Sequence, residues 1–210
     1  MAIADAGVDL ANVAKIIVGA GTPDAPAAGN GEVGIGAISV GTPLSHNVVA
    51  DVTSPGDVVV GVPNDSDWPG GEPPEYAIDN NDLTKYLHFK GDEGPSGIQV
   101  TPAVGPTVVM GLSLTTANDV PGRDPITFEL YGSNDGIDGT YELIASGDIV
   151  DFAGETEWPR FTMNATEISF ENDMAYTTYK IVFPGIRGPV GGSVNSMQIA
   201  EIELLGVSSW

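Results

Sequence analysis

The sequence predicts an all-β protein: an antiparallel jelly-roll sandwich that follows an extended, strand-rich N-terminal segment. Three observations lead to this prediction. Short runs rich in Val, Ile, Thr, Tyr and Phe recur from residue 57 onward, and turn residues separate them. Gly and Pro occur 28 and 16 times among the 210 residues, spread between these runs. The pattern of strands alternating with crossover helices, which would indicate a parallel sheet, does not occur.

The predicted strands begin after the turn Ser54-Pro55-Gly56, which marks a domain boundary. Residues 54–207 form the predicted sandwich, and residues 208–210 form a short tail. The strands predicted within the sandwich are Asp57–Val62, Lys85–Lys90, Ile98–Thr101, Thr107–Thr115, Ile126–Ser133, Tyr141–Ser146, Asp148–Phe152, Phe161–Asn164, Glu167–Phe170, Tyr176–Phe183 and Met197–Leu205.

The first 53 residues differ from the rest in composition, because they contain no Trp, Tyr or Phe and only Lys15 as a cation. Met1–Gly21 holds the one plausible helical stretch, although Val13–Val18 would serve equally well as a strand. Val33–Val40 and His46–Val52 are predicted strands. With so few large apolar side chains, this segment cannot build a core alone. We expect it to dock on the sandwich, on a neighbouring copy, or on both.

The charge balance excludes some classes of partner. The chain has 7 Lys and Arg against 29 Asp and Glu, giving a formal net charge of −22. Such a field repels nucleic acid and anionic membranes. Because no apolar run approaches the roughly 20 residues of a membrane span, we also expect no membrane insertion. No signal peptide is visible in Met1–Gly21, and the absence of cysteine leaves the compartment open.

An oxygen-rich turn lies within the stretch Glu75–Gly91, between an apolar anchor and an alternating run. Hard cations such as calcium prefer oxygen ligands of this kind. A surface turn uses the same residue types, so both interpretations remain open at this point. Six consecutive residues hold the five oxygen-bearing side chains, which are Asp79, Asn80, Asn81, Asp82 and Thr84.

Three segments, read together, resemble a known family. They are A-I-D-N-N-D-L-T-K-Y at 77–86, F-E-L-Y-G-S-N-D-G at 128–136 and S-M-Q-I-A-E-I-E-L-L-G at 196–206. In this order and spacing they resemble the factor five/eight type C, or discoidin-like, domain of the galactose-binding-like superfamily. The bacterial members concerned are carbohydrate-binding modules of the family-thirty-two type. The resemblance covers residues 54–206 and implies an eight-stranded jelly roll.

The resemblance also implies a structural calcium ion beside the first loop and the last strand. Carboxylates and carbonyls from two distant segments would then form a cage of hard oxygen ligands that ties the chain ends together. Glu201 has an alternative reading as the polar, outward partner of Ile199 and Ile202, and Glu203 has the same claim to that role. The ligands implied by position are Ala77, Asp79, Asn81, Asp82, Thr84, Ala200 and Glu201.

Sugar binding in this family uses variable loops at one end of the sandwich. Planar donors and acceptors beside an aromatic face are the groups that hold sugars. Arg123 could instead form a salt bridge that pins its loop, and His88 could simply be a packed strand residue. Trp68 and Trp158 could each be a sugar platform or a plug for the sandwich end. The predicted ligand-binding residues are Asn118, Asp119, Arg123, His88, Trp158 and Asn195.

The sequence lacks the motifs of the common enzyme classes. There is no G-x-S-x-G, no H-E-x-x-H and no P-loop, and the two histidines lie in unrelated segments. We therefore expect a non-catalytic, calcium-stabilised carbohydrate-binding or adhesion module at the cell surface or outside the cell. The alternative is a structural subunit of a surface filament, surface layer or capsid decoration that assembles with copies of itself through residues 1–53.

Overall fold

The computed structural model describes residues 21–22, 25–26, 49–189 and 194–208. The chain divides into two units, residues 1–43 and residues 44–210. The described part of the first unit is a short antiparallel ladder between β1 (Gly21–Thr22) and β2 (Ala25–Pro26). The helix and strand predicted for residues 1–20 and Val33–Val40 lie outside the described residues, as does Trp210.

The second unit contains two antiparallel sheets. The larger sheet consists, in spatial order, of β4 (Val58–Val62), β6 (Ser96–Thr101), β11 (Thr178–Phe183), β8 (Thr127–Ser133) and β9 (Glu142–Asp148). The smaller sheet consists of β10 (Ile168–Ser169), β7 (Thr107–Thr115), β13 (Glu201–Ser208) and β3 (Ala50–Asp51). A separate ladder joins β5 (Tyr86–His88) to β12 (Met197–Ile199).

The core lies between the two sheets and is built from alternate residues of their strands. In β11, Tyr179, Ile181 and Phe183 point inward and are at most 1% exposed. In β13, Ile202 and Leu204 face them from the smaller sheet and are fully buried. This period of two is what a half-buried strand requires. The predicted all-β antiparallel sandwich is confirmed.

The predicted central strand Tyr176–Phe183 is also confirmed, because β11 is the middle strand of the larger sheet. The edge strand β3 falls within the segment 1–53 of the predicted domain division. It pairs with Leu205 and Gly206 of β13, and the Asp51 carboxylate accepts a 3.1 Å hydrogen bond from the Leu204 amide. The domain boundary itself stays a prediction.

Two predicted strands are wrong. Residues 148–152 are not a second strand, because Val150–Ala153 form a short helix, α1, directly after β9. Ile149 and Phe152 are both fully buried, and their spacing of three residues matches a helical turn. Phe161–Asn164 contains only an isolated bridge between Met163 and Thr115.

The final predicted strand, Met197–Leu205, is interrupted at Ala200. The chain changes partners there, since β12 pairs with β5 whereas β13 pairs with β7. The Ala200 amide donates a 2.9 Å hydrogen bond to the Thr115 carbonyl, so the break itself is paired. Side chains before and after Ala200 consequently serve different parts of the molecule.

Close backbone approaches bring several loops together at one end of the sandwich. A Cβ on Gly91 would lie 2.1 Å from the Met197 amide nitrogen, so the chain just after β5 lies directly against the start of β12. A Cβ on Gly122 would lie 2.9 Å from Cγ1 of Val194, which places the 117–124 loop against residues 194–196. We call this set of loops the loop end: residues 63–74, 117–124, 158–160 and 194–196.

Candidate functional site

The oxygen-rich turn forms a hydrogen-bonded loop closed by Glu201. Asp79 ends the 3-10 helix Pro74–Ile78. The Asn81 amide donates to Oδ1 of Asp79 at 3.0 Å and to Oε1 of Glu201 at 2.8 Å. Oγ1 of Thr84 lies 2.8 Å from Oδ2 of Asp79 and 2.8 Å from the Asn81 carbonyl oxygen. The structure thus brings Asp79, Asn81, Thr84 and Glu201 together across more than a hundred residues.

The carboxylates of Asp79 and Glu201 form an electrostatically unfavourable pair. Burial, a hydrogen bond to Asp79 and the charges of Asp79 and Asp82 raise the pKa of Glu201 to about 8, although the Asn81 amide opposes the shift. Ionisation of two close carboxylates in a buried place is unfavourable in free energy, because the two negative charges repel each other. A proton or a cation between them would relieve the repulsion.

The chemistry of these donors fits a calcium ion. Calcium takes six to eight oxygen ligands, of which carbonyls and waters are often a share. No three or more Asp, Glu, His or Cys side chains converge as a metal cluster in the part of the chain that the structure describes. Main-chain and amide oxygens would therefore have to complete the shell around Asp79 and Glu201. Ala77 and Ala200, whose carbonyls the resemblance implies, are fully buried.

The two candidate glutamates of the closing strand, Glu201 and Glu203, differ in their contacts. Glu201 and Glu203 lie on the same face of β13, opposite Thr115 and Ser113 of β7. Glu201 is only 4% exposed and bonds the Asn81 amide. Burial and the charges of Asp51 and Asp82 raise the pKa of Glu203, and a hydrogen bond with Ser113 opposes the shift.

At the loop end, Lys85 forms the centre of a polar cluster. Its side chain is 7% exposed, and Nζ lies 2.8 Å from Oδ1 of Asp119 and 3.7 Å from Oε1 of Glu72. Nζ also donates to Oε1 of Gln198 at 3.2 Å. Gln198 in turn donates to the carbonyl oxygens of Asp119 and Val120. Lys85 therefore holds the 117–124 loop through the Asp119 side chain, and Gln198 holds it through main-chain carbonyl oxygens.

Arg160 ties a second segment to the same loop. Its guanidinium makes a two-pronged bond to Asp124, with Nη1 2.7 Å from Oδ1 and Nη2 bonded to Oδ2. Nη2 also donates to the Trp158 carbonyl at 2.8 Å. Burial raises the pKa of Asp124, even though the Arg160 charge acts in the opposite direction. This pairing connects residues 158–160 to the loop that carries Asn118 and Asp119.

His88 is fully buried beneath the loop end. Its Nδ1 accepts a 3.2 Å hydrogen bond from the Lys90 amide, and Nε2 lies 3.2 Å from Oδ1 of Asp65. Because Nδ1 accepts, Nε2 carries the proton of the neutral ring and donates to Asp65. The ring centroid lies 6.2 Å from that of Trp68. His88 thus holds the 63–74 loop, and its ring does not reach the surface.

The remaining predicted ligand residues lie nearer the surface. Asn118, Asp119 and Asn195 are exposed, and Arg123 is half-buried. The Oδ1 atom of Asn195 accepts a 2.9 Å hydrogen bond from Ser196. Trp158 is half-buried against the core, and its indole nitrogen donates to the Met163 carbonyl at 3.2 Å.

Comparisons with known proteins match the chain through its structure. No protein-family model matches it, and no curated protein sequence matches it. The family 32 carbohydrate-binding module of NanJ from Clostridium perfringens, solved with galactose, has a TM-score of 0.51 at 17% identity, over 71% of this chain and 93% of that chain. The F5/8 type C domain of a Bacteroides fragilis protein has a TM-score of 0.53 at 12% identity, over 73% of this chain and 93% of that chain.

A third solved structure comes from a different bacterium. It is chitosan-binding module 1 of a chitosanase/glucanase from Paenibacillus sp. IK-5, with a TM-score of 0.51 at 15% identity, over 73% of this chain and 96% of that chain. These likenesses, all at low identity, concern the fold. The chain has the discoidin-like fold.

In this discoidin-like sandwich the predicted residues fall into two neighbouring groups. Asp79, Asn81, Thr84 and Glu201 share one hydrogen-bonded loop, with Asp82 exposed beside it. Asn118, Asp119 and Arg123 share the 117–124 loop, which contacts Val194 beside Asn195 and is tied through Arg160 to Trp158. His88 lies below this surface because its ring is fully buried.

Sequence reasoning missed the residues that hold the loop end together. Lys85, Gln198, Glu72 and Arg160 received no role, although each bonds the 117–124 loop or its lysine. The scarcity of Lys and Arg in the sequence is the signal that could have pointed to Lys85 and Arg160. In a chain with 7 Lys and Arg against 29 acids, each buried cation is expected to be paired.

Proposed function

We propose that the discoidin-like sandwich is a non-catalytic carbohydrate-binding module that acts outside the cell. The observation that carries the proposal is its fold, shared with modules solved with galactose or named for binding chitosan. The pre-organised loop end supports it, because exposed amide and carboxylate groups stand there on a loop that Lys85 and Gln198 hold in place. No helix in the described part of the chain is long and apolar enough to cross a membrane.

Each exposed group at the loop end has a role in this proposal. Asn118, Asp119 and Asn195 would exchange hydrogen bonds with sugar hydroxyls, and Arg123 would add a planar donor. The half-buried Trp158 ring would supply an apolar face for the sugar ring. We assign His88 a supporting role, since its buried ring orders the 63–74 loop through Asp65.

Retention on immobilised polysaccharides and a glycan array test the proposal directly. We expect the intact chain to bind at least one neutral or amino-sugar glycan. Asn118→Ala and Arg123→Ala together should weaken binding about tenfold, as expected for the loss of two polar anchors. Asp138→Ala, an exposed acid on the turn between β8 and β9, is the matched control. Binding to no glycan, or equal loss in the control, would contradict the proposal.

We also propose that calcium occupies the Asp79–Glu201 loop and stabilises the fold. The support is the close pair of carboxylates with hydroxyl and carbonyl oxygens beside it. At 100 times its Kd, an ion that binds only the folded state adds about 2.7 kcal/mol. Thermal unfolding with calcium, with magnesium and with a chelator tests this. A thermal unfolding midpoint that the chelator does not change would contradict the proposed calcium site.

An assembly role is the second candidate, and a groove on the smaller sheet favours it. About 340 Å³ of space lies between Val49, Gly111, Phe170 and Leu205, and Val49 is 48% exposed. Apolar surface of this kind often marks a contact between proteins. Light scattering of the full chain over a hundredfold dilution distinguishes the candidates, because a monomer at every concentration would exclude assembly.

A further inference from the structure

Two strand edges face each other across a groove on the side of the sandwich. Strand β9 is the last strand of the larger sheet, and β10 is the last strand of the smaller sheet. A groove of about 220 Å³ runs between them and is lined by residues 145–151 on one side and 166–170 on the other. Within the described residues, β9 pairs only with β8 and β10 only with β7.

The floor of this edge groove is apolar. Phe128 and Ile149 of the core lie at its base, and Ile168 and Phe170 form its far wall. Gly147 pairs with Phe128 in the ladder, and a Cβ there would lie 3.3 Å from Cε1 of Phe128. The lack of a side chain at Gly147 therefore leaves the Phe128 ring accessible from the groove.

Strand β9 lacks most of the devices that normally protect a sheet edge. Natural edges are blunted by lysine, proline, bulges or very short strands. Glu142–Asp148 contains neither lysine nor proline, and its bulge lies near its start, opposite Leu130 and Tyr131. Ala145–Asp148 is thus a regular edge, unpaired by any residue that the structure describes, about 13 Å long at 3.3 Å per residue.

The charges that line the groove determine which kind of strand could pair with the edge of β9. Three carboxylates line the groove, from Asp148, Asp151 and Glu167, and none of the described residues that line it is Lys, Arg or His. Asp151 bonds the Ala165 and Thr166 amides, whereas Asp148 and Glu167 are exposed. Antiparallel pairing of two copies through β9 would bring Glu142 of one copy near Asp148 of the other. Like charges opposite each other destabilise a sheet, which disfavours a second copy.

We propose that the edge groove binds an extended basic segment of a partner protein as an added strand on β9. Main-chain hydrogen bonds to Ala145–Asp148 would provide register, as in other cases of strand addition. Alternate side chains would point in two directions. Apolar ones would enter the groove toward Phe128 and Phe170, and basic ones would meet Asp148 and Glu167. The proposal is independent of carbohydrate binding.

A blocked synthetic heptapeptide of alternating lysine and valine is the probe, used with the full-length protein. Fluorescence anisotropy gives its Kd, and amide chemical shifts locate the site. We expect shifts concentrated at residues 145–148 and 167–170. Charge reversal by Asp148→Lys with Glu167→Lys should weaken binding about tenfold or more. The matched control Asp92→Lys with Glu93→Lys changes the net charge equally, on an exposed loop outside the groove, and should change Kd less than threefold.

Two further measurements separate strand addition from simple attraction to an acidic protein. N-methylation of alternate peptide amides removes hydrogen bonds but no charge, and it should weaken binding about tenfold. Gly147→Val should also weaken binding, because the side chain fills the space over Phe128.

Several outcomes would overturn the proposal. They are no binding at millimolar peptide, equal losses in both charge reversals, and full affinity of the methylated peptide. Protection from exchange, without any peptide, of those 145–148 amides that point away from β8 would also overturn it, since the free edge would then already be occupied by this chain or by a second copy.

Discussion

Asp124 shows how one buried charge can organise a surface. Its carboxylate is 1% exposed and bonds both terminal nitrogens of Arg160. Burying an ion costs several kcal/mol, and only a well-matched partner offsets that cost. The Arg160 fork also bonds the Trp158 carbonyl, so the same contact that neutralises Asp124 positions the aromatic residue of the loop end.

Removal of Arg160 is therefore expected to destabilise the whole sandwich. Arg160→Ala leaves the Asp124 carboxylate buried without its partner, and we expect a loss of about 3–5 kcal/mol in the free energy of unfolding. Urea denaturation measures it. Arg160→Ala combined with Asp124→Asn should recover part of the loss. If the single variant loses less than about 1 kcal/mol, comparable to a surface pair, the burial argument is wrong.

The raised pKa of Glu201 predicts how the stability of the protein depends on pH when calcium is absent. Burial and the neighbouring Asp79 raise this pKa from the ordinary value of 4.5 to about 8 in the folded protein. Because the folded state holds the proton more tightly, this contribution is fully present below pH 4.5 and is lost as pH rises through 8. We expect urea midpoints in chelator to fall between pH 6 and pH 9.

Glu201→Gln should flatten this fall, since the amide carries no charge at any pH. Glu203→Gln, on the same face of β13, is the matched control and should leave most of the slope in place. An identical slope in the wild type and in Glu201→Gln would show that Glu201 does not control it.

At the scale of elements, Gly97 fixes how closely two central strands approach. It lies in β6 and pairs with both Val62 of β4 and Val182 of β11. A Cβ on Gly97 would lie 2.0 Å from the Ile181 carbonyl oxygen and 2.8 Å from the Val182 Cα. Both are backbone atoms, so β11 would have to move as a whole.

Gly97→Ala is accordingly expected to cost about 3 kcal/mol or more, at the upper end of the range for overpacking. Chemical denaturation measures the loss, and amide exchange should show faster opening of β6 and β11. Gly70→Ala is the matched control, because a Cβ there meets nothing within 4 Å. It should stay within about 0.5 kcal/mol of the wild type. Equal stability of the two variants would contradict the steric argument.

The strands that the sequence predicted well are those whose burial alternates. β8 was predicted as Ile126–Ser133, within one residue of its observed bounds Thr127–Ser133, because apolar residues of one face recur at a period of two. The short helix α1 was missed because Ile149 and Phe152 are both apolar, and a short apolar run does not distinguish a strand from a turn of helix. The break at Ala200 was missed because it depends on which strand lies beside it.

Side-chain contacts between neighbouring strands could not be predicted from the sequence either. Lys180 lies between the rings of Tyr131 and Tyr141, 4.6 Å from each centroid. Tyr131 is its neighbour in the ladder, but Tyr141 arrives from the loop after β8. Such contacts depend on register and loop path, which periodicity alone does not provide. The Asp79–Glu201 contact was expected through the family resemblance.

At the scale of the whole molecule, the net charge of −22 acts against folding. Like charges repel more strongly in the compact state, and salt screens them. The screening length falls from about 30 Å at 0.01 M to about 10 Å at 0.1 M. We therefore expect the Tm in chelator at pH 7 to rise by a few degrees when potassium chloride is raised from 0.01 to 0.1 M.

The same titration near pH 4.1, the sequence pI, is the control. The net charge is close to zero there, so the rise should nearly vanish. A rise of the same size at both pH values would mean that salt acts through hydration and that the charge is not its cause.

Neighbouring residues serve both groups at this end of the molecule. Thr84 closes the loop of Asp79, while Lys85, the next residue, bonds Asp119. Gln198 bonds the main chain of the 117–124 loop, while Glu201, three residues later, bonds Asn81. An ion that orders one side of these shared segments would order the other. Cation uptake and sugar capture would then be reciprocal, each raising the affinity for the other by the same factor.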